Sequence, residues 1–381
     1  MRALIFKKWP LSRIQMRCFD SKKIFLHLQV AVAIILPNAG SAGCAMDEPK
    51  VPQIVASSEA ENLFRVGSVH YSRGEYEFAV KRFEKLLEAG GENKTLATGR
   101  FYLAESLVAL GKYEKASQHL TKFIKENPNH QRVHQAQYRL GEIALHTGDT
   151  KSAARHLQIF LQANPDHPLL EYTIPYLADV ELKEGKLDSA QKLFQLSLAK
   201  FPQGVLADES RIGLARVLEK TESENEAARF YRMLIHRPDS GRVADSLLQL
   251  GKMHFRRQEY DRAIDYLSQF RSKFENNDLI HPVLFWLGRI EFESGNFSGA
   301  EEYFLVGLKK KPNPKTKTAL RYELTRSLAK QNQFPAALMH LEQVLRESLD
   351  SDWGDDASLL EIQIFQNTSQ FDETLTRCDA F

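Results

Sequence analysis

One residue type recurs along this chain at a nearly constant interval. Eight alanines follow one another at 37 residues in every step but one, where the interval is 36; they are Ala79, Ala116, Ala153, Ala190, Ala227, Ala263, Ala300 and Ala337. Self-similarity at a fixed period of about 20–50 residues is the signature of repeat architectures, in which each unit packs only on its neighbours. The period therefore constrains the fold more than the length of 381 residues does.

Other positions keep a fixed distance from each alanine. Twelve residues upstream the side chain is small in seven repeats: Gly67, Ala104, Gly141, Ala178, Ala215, Gly251 and Gly288. Five upstream there is glycine in five repeats: Gly74, Gly111, Gly148, Gly185 and Gly295. Four downstream every repeat has a large apolar residue: Phe83, Leu120, Leu157, Phe194, Tyr231, Leu267, Phe304 and Leu341. Five repeats close on proline: Pro128, Pro165, Pro202, Pro238 and Pro312.

Each of these positions has a physical reason. The glycine ends a first helix, since glycine accepts the left-handed conformation of a C-terminal cap. The apolar residues around it, such as Leu103, Leu107 and Leu110 before Gly111, recur at helical spacing. Small residues at two positions let the two helix axes approach closely, and the large apolar residue fills the space beside them. Proline closes the second helix. The pattern predicts one antiparallel helix hairpin per period.

The order small residue, Gly, Tyr, Ala, Phe and Pro on two helices resembles the tetratricopeptide repeat, although the period of that family is about 34 residues. The aromatic position is occupied by Tyr76, Tyr113, Tyr260, Phe297 and Phe334. The resemblance implies an all-α protein, a right-handed superhelical α-solenoid with eight repeats in residues 59–348 and a degenerate ninth, capping repeat in residues 349–381. It also implies protein binding and no particular chemistry.

The first 45 residues do not fit the repeat. Basic residues precede an apolar run from Ile24 to Pro37, and the small-residue tract NAGSAGCA follows. A positive segment, a short apolar segment and small residues at a cleavage zone indicate a signal peptide. We therefore expect residues 1–45 to be removed, with initiation at Met1 or Met16 left open, and residues 46–58 to be a tether. The expected location is periplasmic or outer-membrane-associated, with secretion or an uncleaved anchor as alternatives.

Cys44 is a second feature of this segment. The sequence Ser41-Ala42-Gly43-Cys44 resembles a bacterial lipoprotein box, except that Ser41 stands where that motif prefers an aliphatic residue. The resemblance implies lipidation of Cys44 and attachment to a membrane. Ordinary cleavage after Ala42 or Ala45 is the alternative.

The resemblance also implies where a partner would bind. In this family the first helix of each hairpin lines a concave groove, and the residue after the small upstream position points into it. That position is acidic in three consecutive repeats and basic in the next four: Glu105, Glu142, Asp179, Arg216, Lys252, Arg289 and Arg326. One turn further along, Lys220, Arg256 and Lys330 extend the basic half, and Tyr71, Phe255 and Phe292 lie nearby. The prediction is a groove with an acidic and a basic half that orients an extended partner. The alternatives are solvated side chains or ion pairs between neighbouring repeats.

No motif of a catalytic or cofactor site is present, so we expect neither an enzyme nor a bound cofactor. The net charge of +2 and the absence of a basic stripe argue against nucleic acid. His130 and His134 have the spacing of metal ligands on a helix but lack a third ligand. Asp350, Asp352, Asp355, Asp356 and Glu361 depart from the EF-hand pattern. Lysines 309–317 flank a loop that could contact anionic lipid or cell-wall polymer.

The sequence thus predicts a protein-interaction scaffold of the bacterial cell envelope. The alternative is a membrane-tethered structural lipoprotein that contacts cell-wall polymer or outer-membrane assembly components.

Overall fold

The computed structural model describes residues 59–348 and 352–368. Every regular element in these two ranges is an α-helix. The expected signal peptide, the tether, Cys44 and residues 369–381 of the expected capping repeat lie outside the described residues. The chain divides into two compact units, Met1–Gly213 and Leu214–Phe381.

The described part of the first unit consists of four helix hairpins and the start of a ninth helix. The helices are α1 (Glu59–Ser72), α2 (Tyr76–Ala89), α3 (Asn93–Ala109), α4 (Tyr113–Glu126), α5 (Val133–Thr147), α6 (Thr150–Ala163), α7 (Leu170–Lys183), α8 (Leu187–Lys200) and α9 (Ala207–Lys220), which ends in the second unit. Each second helix packs on the first helix of the next hairpin, as α2 does on α3 and α4 on α5. The hairpins are therefore stacked in chain order.

The second unit continues the same alternation. Its further helices are α10 (Glu224–Ile235), α11 (Val243–Arg256), α12 (Tyr260–Lys273), α13 (Ile280–Glu293), α14 (Phe297–Lys309), α15 (Pro314–Lys330), α16 (Phe334–Ser348) and α17 (Asp352–Asn367). The first helices α11, α13, α15 and α17 also contact one another in succession. This stacking of antiparallel hairpins confirms the predicted α-solenoid of helical hairpins.

The core lies between the two helices of each hairpin and the next first helix. All eight recurrent alanines are fully buried, with 0% of their surface exposed. A methyl group added to Gly67 would lie 2.7 Å from the ring of Phe83, and one added to Gly288 would collide with Phe304. The small residue of the first helix thus receives the large apolar residue of the second. This confirms the close approach that the two small positions predicted.

The turn between the two helices is left-handed in every repeat. The five glycines at this position have φ between 70° and 81°. In the three repeats that lack glycine, Glu222, Gln258 and Asn332 adopt φ of 60°, 59° and 60°. The geometry of the repeat therefore imposes the left-handed cap even on residues with a β-carbon, for which this conformation costs about 1–2 kcal/mol.

Candidate protein-interaction surface

The acidic residues predicted for the groove form ion pairs within the first unit. Arg139 donates from Nε to Oε1 of Glu105 at 2.7 Å and from Nη1 to Oε2 of Glu142 at 2.6 Å. Glu105 belongs to α3 and Arg139 to α5, so one bond joins neighbouring repeats. All three side chains are buried to about nine-tenths. We call Glu105, Arg139 and Glu142 the acidic triad, because two carboxylates share one guanidinium.

Asp179, the third predicted acid, is paired within its own helix. The Nζ of Lys183 lies 2.6 Å from Oδ2 of Asp179, one helical turn away. The Asp179 side chain is buried, whereas Lys183 is more than one-third exposed. The three acids therefore lie on first helices, as predicted, but each of them already has a cationic partner.

The second unit contains the same arrangement with the charges reversed. Arg289 of α13 donates to Oε1 of Glu323 at 2.9 Å, and Arg326 of α15 donates to Oε2 of the same residue at 2.8 Å. Burial raises the pKa of Glu323 in spite of the two guanidinium groups. Arg289 also reaches Glu293 at 3.3 Å. We call Arg289, Glu323 and Arg326 the basic triad, because two guanidinium groups share one buried carboxylate.

Three other predicted basic residues differ in how far their charge is balanced. Arg216 lies 3.4 Å from Asp245, and Arg256 pairs with Glu219 at 3.1 Å and with Glu224 at 3.0 Å. Lys252 donates to Gln249, a neutral group, at 3.2 Å. Burial lowers the pKa of Lys252, the carboxylate of Glu219 acts in the opposite direction, and the cations Arg256 and Arg216 lower it further.

The two remaining lysines of the predicted basic half, Lys220 and Lys330, are exposed at the ends of α9 and α15. Within the described ranges neither pairs with a carboxylate. They are therefore the cations of this face most accessible to a ligand.

The three predicted aromatic residues pack between repeats. Tyr71 lies 5.0 Å from Tyr102 of the next repeat, measured between ring centroids, and burial raises its pKa. Phe255 lies 4.9 Å from the Trp286 ring. The guanidinium of Arg326 stands 4.4 Å from the ring centroid of Phe292. Inter-repeat packing, the alternative raised for these rings, is what the structure shows, and Arg289 and Arg326 of the basic triad lie against Phe255 and Phe292.

Arg139 and Glu323 are the residues that the sequence reading missed. Both stand two residues before the small position of their repeat, and both carry the charge opposite to the position three residues further on. Comparison of these two positions along the repeats would have revealed the pairing. Residues three apart on a helix lie on the same face.

Three other features of the sequence, the histidine pair, the apolar segments and the lysine-rich loop, can also be located in the described residues. His130 accepts a hydrogen bond from the backbone N–H of Arg132 through Nδ1 and packs against Phe123. In residues 59–348 and 352–368 there is no cluster of three or more metal-ligating side chains. None of the helices in these ranges combines the length and the apolar character that a membrane span requires. Lys310 and Lys317 of the lysine-rich loop pair with Glu275 and Glu347.

Comparison with known proteins agrees with the repeat geometry. A family model described as tetratricopeptide repeat matches residues 101–168 and 248–313. No curated protein matches the sequence. The two matched segments carry tetratricopeptide repeats, and the same hairpin recurs between and beyond them. Proteins of this class bind other proteins, so the chain is a protein-interaction scaffold.

Three solved structures resemble part of this chain. One is a tetratricopeptide repeat protein from Parabacteroides merdae, with 14% identity and a TM-score of 0.47 over 71% of this chain and 98% of that one. MamA from Desulfovibrio magneticus has 19% identity and a TM-score of 0.41, covering 48% of this chain and 99% of its own. Pseudomonas aeruginosa pilF has 17% identity and a TM-score of 0.43, covering 57% and 93%.

Proposed function

We propose that this protein is a non-catalytic interaction scaffold of the bacterial cell envelope whose first helices bind extended segments of partner proteins. In the second unit the bound segment carries carboxylates and apolar side chains. In the first unit the segment carries basic groups. The proposal combines two grounds: proteins with this repeat bind other proteins, and the first helices carry charged side chains.

The observation that carries the proposal is the difference in charge balance between the two units. The acidic triad has one carboxylate more than its guanidinium neutralises, whereas the two guanidinium groups of the basic triad pair with Glu323 and, through Arg289, with Glu293. Exposed Lys220 and Lys330 and partly buried Lys252 add positive charge to the second unit. Fields of this kind speed encounter and set orientation more than they tighten binding.

Aromatic rings give the second unit a further means of recognition. Phe255 and Trp286 are half-buried with ring centroids 4.9 Å apart, and the guanidinium of Arg289 lies 5.7 Å from the centroid of the Phe255 ring. Aromatic residues and arginine dominate the energy of many protein interfaces. A partner with alternating acidic and aromatic side chains would pair with both kinds of group.

The test is a binding titration with two synthetic peptides, one alternating glutamate with phenylalanine and one alternating lysine with phenylalanine. We expect the acidic peptide to bind the second unit, and Lys220→Glu with Lys330→Glu to weaken it by about tenfold, or about 1.4 kcal/mol. Lys273→Glu reverses an exposed charge on the second helix α12 and is the matched control. The same double variant should leave binding of the basic peptide, which is expected on the first unit, unchanged. An equal loss for both peptides, or an equal loss in the control, would contradict the proposal.

The location and the alternative function are tested on the mature N-terminus. Intact mass and membrane partition of the protein exported with its own signal distinguish two outcomes. A soluble chain that begins near Gly43 or Met46 supports the free scaffold. A lipidated Cys44 in the membrane fraction supports the alternative, a tethered structural lipoprotein that contacts cell-wall polymer or outer-membrane assembly components.

A further inference from the structure

Four of the loops that join successive repeats contain the same hydrogen bond, but the side chain that makes it changes along the chain. At one position of the loop, a side chain accepts a hydrogen bond from the backbone N–H two residues further on. In the first unit this side chain is His130 and then His167. In the second unit it is Ser240 and then Asn277. Of these residues, only the histidines can gain a proton near neutral pH.

His130 joins its loop to both helices of the preceding hairpin. The backbone N–H of Arg132 donates to Nδ1 of His130 at 3.1 Å. Nδ1 is therefore unprotonated, and the ring hydrogen of the neutral form lies on Nε2. Nε2 is 3.4 Å from Oγ1 of Thr98 on α3, and the ring packs edge-on against Phe123 of α4, with 5.1 Å between the ring centroids.

His167 repeats this arrangement one hairpin further on. The backbone N–H of Leu169 donates to Nδ1 of His167 at 3.1 Å, and the ring packs edge-on against Phe160 of α6, with 5.2 Å between the ring centroids. A proton on Nδ1 would turn the acceptor into a second donor that faces the amide N–H. Protonation would therefore break the loop bond at both histidines.

The surroundings of the two rings disfavour a proton. Burial lowers the pKa of His130, and the cations Arg132 and Lys94 lower it further. Burial also lowers the pKa of His167, and His134 of α5, when it is protonated, lowers it further. The neutral forms of the two rings are thus the ones that the folded loops hold.

The carboxylates closest in sequence to the two rings are bound to other groups. Glu126 at the end of α4 lies 3.6 Å from Arg100, and Asp166 lies 3.9 Å from Lys200. Glu171 of α7 accepts a hydrogen bond from the backbone of the loop that follows α8. A protonated imidazole in either loop would therefore carry a charge that these carboxylates are not placed to balance.

The two loops hold the helices that carry the acidic residues of the first unit. His130 links α3 to the start of α5, and the same two helices are joined by the bond between Glu105 and Arg139. His167 stands directly before α7, the helix of Asp179. Loss of the loop bonds would therefore loosen the first helices that present these acids.

We propose that His130 and His167 form a pair of acid-sensitive junctions. Their protonation releases the two loops and loosens α5 and α7, whereas the junctions built on Ser240 and Asn277 stay closed. The surface of the first unit thus changes under mild acid. This device depends on the geometry of the loops and not on what the scaffold binds.

The test is hydrogen exchange of single backbone amides in the wild-type protein at pH 7.5 and pH 5, corrected for the intrinsic effect of pH on exchange. An open loop takes up a proton with the ordinary histidine pKa of about 6.5, so opening at pH 5 is favoured by at most about 30-fold. We expect the protection of Arg132 and Leu169 to fall by up to this factor. Arg242 and Leu279, whose amides are bound by the serine and the asparagine, are the matched control in the same chain and should keep their protection. An equal fall at all four amides, or no fall at the first two, would overturn the proposal.

A variant tests the assignment to the two histidines. His130→Asn combined with His167→Asn introduces the residue that Asn277 provides in the second unit, which keeps an acceptor but does not titrate. This double variant should be protected like wild type at pH 7.5 and should not show the fall at pH 5. His236→Asn changes an exposed histidine at the end of α10 and should leave the acid response as it is in wild type. The proposal is wrong if the double variant keeps the full acid response, or if His236→Asn removes it.

Discussion

Replacement of Arg139 by methionine should destabilise the first unit strongly. Methionine keeps much of the length of the side chain but removes the only guanidinium that the acidic triad contains. Glu105 and Glu142 are then buried carboxylates without this partner. Loss of one partner of a buried ion pair costs about 3–5 kcal/mol. For a unit of this size, each kcal/mol shifts the melting temperature by about 2–4 °C, so we expect a loss of roughly 6–20 °C.

The assay is thermal unfolding followed by circular dichroism, with hydrogen exchange of α3 and α5 to locate the change. The control adds Glu105→Gln and Glu142→Gln to Arg139→Met, which removes the charges but keeps the shape. This triple variant should recover at least half of the loss, since neutral groups replace a buried ion pair at little cost. A loss below about 1 kcal/mol in Arg139→Met, in the range of a surface pair, would refute the reasoning. So would a triple variant that is no more stable.

Three further predictions concern single positions. Gln258→Gly should raise the unfolding free energy by about 0.5–1 kcal/mol. The left-handed φ of 59° costs a residue with a β-carbon about 1–2 kcal/mol, and glycine's freedom in the unfolded chain offsets part of the gain. Denaturant unfolding measures the change, with Gly295→Ala as the reverse substitution, and no gain in Gln258→Gly would contradict the prediction. Burial raises the pKa of Glu323, so its contribution to stability is complete below the ordinary glutamate pKa and decreases as pH rises. The unfolding free energy of wild type, relative to that of Glu323→Gln, should therefore be higher at pH 4 than at pH 7. The opposite sign would refute this. Burial lowers the pKa of His130, so its contribution to stability is present at neutral pH and is lost as pH falls. The unfolding free energy should therefore fall less for His130→Ala than for wild type between pH 7 and pH 5. Equal losses would show that His130 does not titrate with folding.

The sequence predicted the hairpins well because their cause is local and repeated. Glycine or a residue forced to positive φ ends the first helix, and the small residue and the large apolar residue meet within one hairpin, as Gly67 and Phe83 do. Such contacts join residues 16 positions apart in the same unit of the period. The signal for each hairpin is therefore contained within a single repeat, and eight copies strengthen it.

The ion pairing at the candidate site could not be predicted in the same way. Glu105 and Arg139 are 34 residues apart on neighbouring repeats, and their bond depends on side-chain conformations that periodicity does not specify. The sequence placed the acids and bases on the correct helices but gave no measure of how much charge the neighbours neutralise.

The two triads also explain how similar repeats can keep their order. The apolar positions are nearly interchangeable, since every repeat offers the same alanine and a large apolar residue at the same depth. The charged positions differ, because Glu105 meets Arg139 in one junction, whereas Arg289 meets Glu323 in another. If the repeat of Glu105 were followed by the repeat of Glu323, Glu105 would meet a carboxylate instead of a guanidinium, and Arg326 would be the cation that the two acids share. Like charges so placed are destabilising, and inter-repeat misassembly is a characteristic failure of repeat proteins. The charge reversal between the two triads therefore opposes wrong junctions that the apolar core would accept.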